Sequence, residues 1–181
     1  MPHIHTEPGQ HDHTVTGYVV RIDGAEPKVL LHMHKKLNVL LPPGGHIELT
    51  ETPWAAIMHE LREETGYDIR QLSVLQPRLR LSQDEVTDEI ILHPQPLLMN
   101  THDITPEHYH SDTAYVFVAT GEPIHPLPEG ESADIRWMTK DELVGLPPSD
   151  IRQNTRAVYL AILDRFMVEW ESVAATEYVT K

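Results

Sequence analysis

The stretch from Leu41 to Tyr67, LPPGGHIELTETPWAAIMHELREETGY, constrains this chain more than any other. It reads as a glycine-containing turn, a short connection and one amphipathic helix. Thr52 suits the N-cap and Pro53 the first helical position, where a missing N–H costs nothing. Gly66 offers a stop. Within the helix Glu60, Glu63 and Glu64 stand three and four residues apart, so they project from one face within a single turn. Trp54, Ile57, Met58 and Leu61 fall on a different face.

Like charges at this spacing repel by a few tenths of a kcal/mol each, and by more when partly buried. A hard divalent cation removes that penalty, and oxygen ligands in this number suit Mg²⁺ or Mn²⁺. Three glutamates at helical spacing, taken alone, describe a solvated acidic face. Gly44 and Gly45 just upstream, and Glu51 at the helix entrance, move the reading toward a metal site.

In that context the segment resembles the Nudix box, G-x5-E-x7-R-E-U-x-E-E-x-G-U with U apolar. Gly45, Glu51, Glu60, Leu61, Glu63, Glu64, Gly66 and Tyr67 fall on the pattern in register, and His59 stands where the family has Arg. LHMHKKLNVLLPPGGHIE, HYHSDTAYVFVA and ESADIRWMTKDEL resemble segments that surround the box in bacterial members. The resemblance implies an α/β chain of the α+β type, an αβα sandwich on a mixed β-sheet. It also implies hydrolysis of a diphosphate linked to another group X. The alternative is a catalytically weak, nucleotide-binding or regulatory module on the same fold.

Carried over by position, Glu60, Glu63 and Glu64 become the metal-binding carboxylates, with the Gly45 carbonyl as a further ligand and Mg²⁺ or Mn²⁺ as cofactor. Glu63 is the best candidate to take a proton from water. Glu51 is paired with the box Arg in the family, so its expected partner here is His59. Histidine offers at most two donors and loses its charge near neutrality, whereas Arg keeps a planar charged fork. The exchange therefore predicts looser carboxylate orientation and a pH dependence of its own. Glu131 falls where many members place an acidic loop residue near the metals; its other reading is a solvent-facing turn.

Histidines supply the remaining candidates. His46, beside the glycines, is the expected phosphate contact. His108, His110 and Asp112 alternate and so share one side of an extended segment, as a second metal site, as phosphate donors with His110 among them, or as a hydrogen-bonded cluster. His32 and His34 alternate likewise. Tyr18, Tyr109 and Trp137 are the aromatics able to stack on a base, with Trp137 better suited to the core. Substrate choice is expected in loops such as 83–88 and 100–110.

The rest of the chain reads as one domain over 15–181 after a His-rich tail, 1–14, carrying His3, His5, His11 and His13. Strands are expected at 15–22 and 28–33 as a hairpin, at 37–41, within 69–81, at 113–119 and around Ile135 and Trp137. Pro94 and Pro96 make 90–99 an edge or irregular strand, and 101–110 reads as a polar loop. A short helix at 140–145 and a long one from Ile151 to about Glu171, striped by Val158, Ile162, Phe166 and Trp170, close the chain.

A formal charge of −14, from 28 acidic and 14 basic residues, argues against bulk nucleic-acid binding. The absence of cysteine excludes disulfides and thiol chemistry. No apolar run approaches a bilayer span and the start has no signal-peptide pattern, so the expected location is the cytoplasm, with a small nucleotide or other diphosphate as partner. The resemblance is compatible with a homodimer.

Overall fold

A computed structural model describes Glu7 and residues 9–178. Its trunk is a parallel pair, β1 (His11–Arg21) and β7 (His108–Ala119), in register along eleven residues from His11 opposite Tyr109 to Arg21 opposite Ala119. Each trunk strand forks along its outer edge. β1 pairs antiparallel with β4 (Gly44–His46) at one end and with β2 (Lys28–His34) at the other. β7 pairs antiparallel with β6 (Leu98–Thr105) and with β5 (Leu72–Gln76). β3 (Val39–Leu41), β8 (Ile135–Met138) and β9 (Glu171–Ala174) extend the sheet, whose longest path runs β3-β2-β1-β7-β5-β9.

Strand alternation sorts the core into two layers. Val15 and Val19 of β1 and Tyr115 and Phe117 of β7 pack against Trp54, Ile57 and Leu61 of α1 (Pro53–Thr65). Tyr18, Val20, Val116 and Val118 face Tyr159 and Ile162 on the opposite side. Helices on both faces of a mixed sheet make the expected αβα sandwich.

α1 begins and ends where its sequence dictates. Thr52 is extended and accepts a hydrogen bond from the Ala55 N–H at 3.2 Å, Pro53 fills the first turn, and Gly66 takes φ +76°. A Cβ on Gly66 would overlap the His125 carbonyl oxygen, so that stop requires glycine twice over. α2 (Lys140–Gly145) is capped by Thr139.

Four expectations change. His11–Thr14 belong to β1 rather than to a tail; His3 and His5 lie outside the described residues. The polar segment 101–110 is a β6–β7 hairpin turning at Pro106-Glu107, an exposed edge whose polarity mimics a loop. Strand character within 69–81 is confined to β5, after a 3₁₀ turn at Ile69–Gln71. The last helix starts at Gln153, since Ile151 bridges Leu40. It runs as α3 (Gln153–Ala161), a π turn at Ile162–Phe166 and α4 (Met167–Glu169). The stripe from Val158 to Trp170 repeats every four residues, which overruns a 3.6-residue turn; the π turn takes up the excess and keeps Phe166 and Trp170 on the core.

Candidate active site

Close packing places the carboxylates. β4 lies along β1, with Gly44 opposite Thr16 and Gly45 opposite Val15, and α1 crosses the same face of the sheet. The Gly44 N–H donates to Glu64 Oε2 at 2.8 Å. A Cβ on Gly45 would overlap the Glu60 carboxylate, so glycine here leaves that carboxylate its place against β4. His32 of β2 reaches the same point, its Nε2 3.7 Å from Glu64 Oε2. Burial, then the neighbouring His34, lower the His32 pKa to about 4, so the ring is neutral at physiological pH.

Electrostatics single out this group. Burial pushes the Glu60 carboxyl up to about 7, with Glu63, Glu131 and Glu51 adding to the rise while His59 opposes it. Burial likewise raises Glu64 to about 8 against the Gly44 hydrogen bond, with Glu60, Glu131 and Glu63 adding repulsion. Glu131, carried by the loop before β8, is thus close enough to act on both. Buried carboxylates that repel one another, and offer only oxygen, fit a hard divalent cation. Glu63 and Glu131 thus lie near the Glu60–Glu64 pair.

His59 meets its expected partner Glu51 and reaches Glu63 as well. Its Nδ1 lies 3.3 Å from Glu51 Oε1 and its Nε2 3.0 Å from Glu63 Oε1. Burial lowers its pKa, but the hydrogen bond and charge of Glu63, with those of Glu51, outweigh that and raise it overall. Donating from both nitrogens requires the imidazolium. His59, Arg62, Glu63, His125, Pro126 and Pro128 line a cavity of about 550 Å³ beside the carboxylates. His125 is held by Asp68 at 3.2 Å; neither Arg62 nor His125 stood out in the sequence, because a lone cation on a helix face or in a proline-rich loop carries no pattern.

The structure brings His46 and His110 to one another rather than to the glutamates. His46 sits opposite Thr14, one residue out of phase with Gly45 and Val15, so its side chain lies on the sheet face turned away from α1. Its ring is 4.9 Å from that of His110, edge to face. Burial, then His46, His102 and His108, lower the His110 pKa to about 4. Asp112 shares that face but accepts from the hydroxyls of Thr14 and Thr16 at 2.9 and 3.0 Å. The carboxylate beside the histidines is Asp12, which alternation continued back from Val15 through Thr14 could have found. Asp12, His46, His108 and His110 make a cluster able to coordinate a divalent metal. Of the aromatics, Tyr18 is buried, Tyr109 hydrogen-bonds the Gly9 carbonyl, and Trp137 packs beneath the Arg21 guanidinium.

Comparison with known proteins adds four findings. Residues 12–161 match the NUDIX domain family. A NUDIX-family hydrolase from Clostridium perfringens is similar in structure, with a TM-score of 0.69 and 29% identity, covering 86% of this chain and 97% of that one. An Ap4A hydrolase of C. elegans shares the fold at TM-score 0.57 and 13% identity, over 87% and 96% of the two chains. The m7GpppN-mRNA hydrolase NUDT17 of Xenopus laevis is 40% identical over 62 residues, which is 32% of this chain and 21% of that protein. Among the described residues, no helix is long and apolar enough to cross a membrane.

Proposed function

The chain belongs to the Nudix domain family, and from that premise we propose that it is a metal-dependent hydrolase of a phosphoric anhydride bond, acting on a nucleoside diphosphate linked to another moiety. The observation that carries this reading is the buried pair Glu60 and Glu64, raised to about 7 and 8 and set against the Gly44-Gly45 strand with Glu63 and Glu131 beside them.

Glu60, Glu63, Glu64 and the Gly45 carbonyl would hold Mg²⁺ or Mn²⁺. Bound there, such an ion supplies Lewis acidity toward the diphosphate and the attacking water. Glu63 is the proton acceptor in this reading: its side chain is 48% exposed and lines the cavity, whereas Glu64 is 14% exposed and committed to the Gly44 N–H. His59 fixes the Glu63 carboxylate from one side and is itself fixed by Glu51. Arg62 and His125, which line the same cavity, offer N–H donors to a phosphate. A cavity of about 550 Å³ suits a small nucleotide derivative.

The test is product release from a panel of nucleoside triphosphates, dinucleoside polyphosphates, sugar nucleotides and capped dinucleotides, each with Mg²⁺ and with Mn²⁺. Turnover of at least one, dependent on metal, is expected. Tight nucleotide binding that ignores metal and yields no product would favour the binding-module alternative.

A further inference from the structure

We propose that Asp12, His46, His108 and His110 form a second metal site, for a zinc-type divalent transition ion, on the sheet face opposite the glutamates. The trunk pairing builds it. Asp12 of β1 lies opposite His110 of β7, His108 precedes His110 by two residues on the same side, and β4 carries His46 opposite Thr14, the next residue of β1 on that face. Three strands thus direct four side chains to one point, and one ligand atom from each lies within 4.8 Å of all the others.

The spacings suit tetrahedral coordination. With metal–ligand bonds of about 2.0–2.1 Å, neighbouring ligand atoms of a tetrahedron stand roughly 3.4 Å apart. Asp12 Oδ2 lies 3.3 Å from His108 Nε2 and 3.7 Å from His46 Nε2. The His110 ring meets those of His46 and His108 edge to face, at 4.9 and 5.2 Å between centroids, so the rings converge without stacking. Small side-chain rotations then bring all four atoms into bonding range.

Ligand chemistry separates this site from the carboxylate centre. Three imidazoles and one carboxylate select a borderline ion such as Zn²⁺, and the all-oxygen glutamate set selects Mg²⁺ or Mn²⁺. Four protein ligands close the coordination shell, which marks a structural site. The Asp12 side chain is 3% exposed and that of His108 16%, so the site is sheltered. The ion would clasp β1, β4 and β7 together, one residue along β4 from Gly45. Beside it on β6, His102 Nδ1 lies 2.9 Å from Asn100 Oδ1, Asn100 donates to Asp112 at 3.3 Å, and the His102 ring packs edge to face on that of His110 at 5.5 Å.

The test is titration of the full-length, chelator-treated protein with Co²⁺ in the presence of excess Mg²⁺, followed by Zn²⁺ displacement. The expected result is one equivalent of Co²⁺ giving the intense visible bands of a tetrahedral site, displaced by Zn²⁺. The bands should persist in Glu60→Gln/Glu63→Gln/Glu64→Gln and in His3→Ala/His5→Ala. Affinity should fall at least the ~10–100-fold expected for disturbing a metal site in His110→Ala and in the near-isosteric Asp12→Asn. Bands that survive both of those variants, or that vanish with the glutamates or with His3 and His5, would overturn the site.

Discussion

Replacing Glu64 by Gln separates a metal ligand from an ordinary structural residue, because the two roles predict opposite signs in the metal-free protein. Glutamine keeps the volume and can still accept from the Gly44 N–H, but it carries no charge. The Glu64 carboxyl is held at about 8 against an ordinary 4.5, by burial first and by Glu60, Glu131 and Glu63 after it. A carboxyl whose pKa is raised on folding favours the folded state below its unfolded pKa, and that advantage is lost as pH climbs through the folded value. The window here is pH 4.5 to 8. At ~1.36 kcal/mol per pH unit the displacement sets a ceiling of about 5 kcal/mol. Part of it is shared with Glu60, whose own rise counts the same repulsion, and water around a carboxylate that is 14% exposed screens more. An effect of about 1–3 kcal/mol remains, or roughly 3–10 °C in Tm for a chain of this size. Without metal at pH 9, Glu64→Gln should therefore melt higher than wild type, and at pH 5 the two should nearly coincide. With Mn²⁺ at pH 8 the order should reverse, since only wild type gains from the ion. Calorimetry at the three conditions checks this. A variant destabilised equally at pH 5 and pH 9, or one that keeps the full Mn²⁺ stabilisation, would refute the reasoning.

Other perturbations follow from the same geometry. His59 bridges Glu51 and Glu63 as an imidazolium, so its raised pKa makes the bridge present below about pH 6.5 and lost as pH rises through the raised value. His59→Arg should extend the active pH range upward with little change at pH 6, read from pH–rate profiles of both proteins. Gly45→Ala drives a methyl into the Glu60 carboxylate and should cut metal-dependent turnover by about 10-fold or more with a weaker Mn²⁺ dependence. Gly66→Ala forces alanine to φ +76° against the His125 carbonyl and should cost about 1–3 kcal/mol in denaturant melts. Trp54→Ala empties a fully buried site beside Tyr115 and Phe117 and should cost about 3–5 kcal/mol by the same measurement.

What the sequence disclosed, and what it withheld, has a physical pattern. The ends of α1 were legible because Thr52, Pro53 and Gly66 each act within a turn of where they sit. The carboxylate cluster was legible because helical spacing alone puts Glu60, Glu63 and Glu64 on one face. The Glu51–His59 pairing followed from the family pattern, whereas the second contact of His59, to Glu63, was not read from the sequence. Pairings distant in sequence were harder. Asp12 becomes the partner of His108 only through a parallel register that joins residues about a hundred positions apart, and polar neighbours made its segment read as a tail. β6 is exposed along nearly all its length, so no apolar alternation announces it. His46 was placed correctly beside the glycines, yet strand alternation turns it to the other face from Gly45, one residue away.

Attack of water at phosphorus, with Glu63 accepting its proton, is tested by turnover in ¹⁸O-labelled water with Mg²⁺, comparing wild type and Glu63→Gln on the best substrate of the panel. Wild type should place one ¹⁸O on a phosphate product, and the variant should be slower by about 10²–10⁴-fold. A variant within a few-fold of wild type, or a phosphate product free of label, would contradict it.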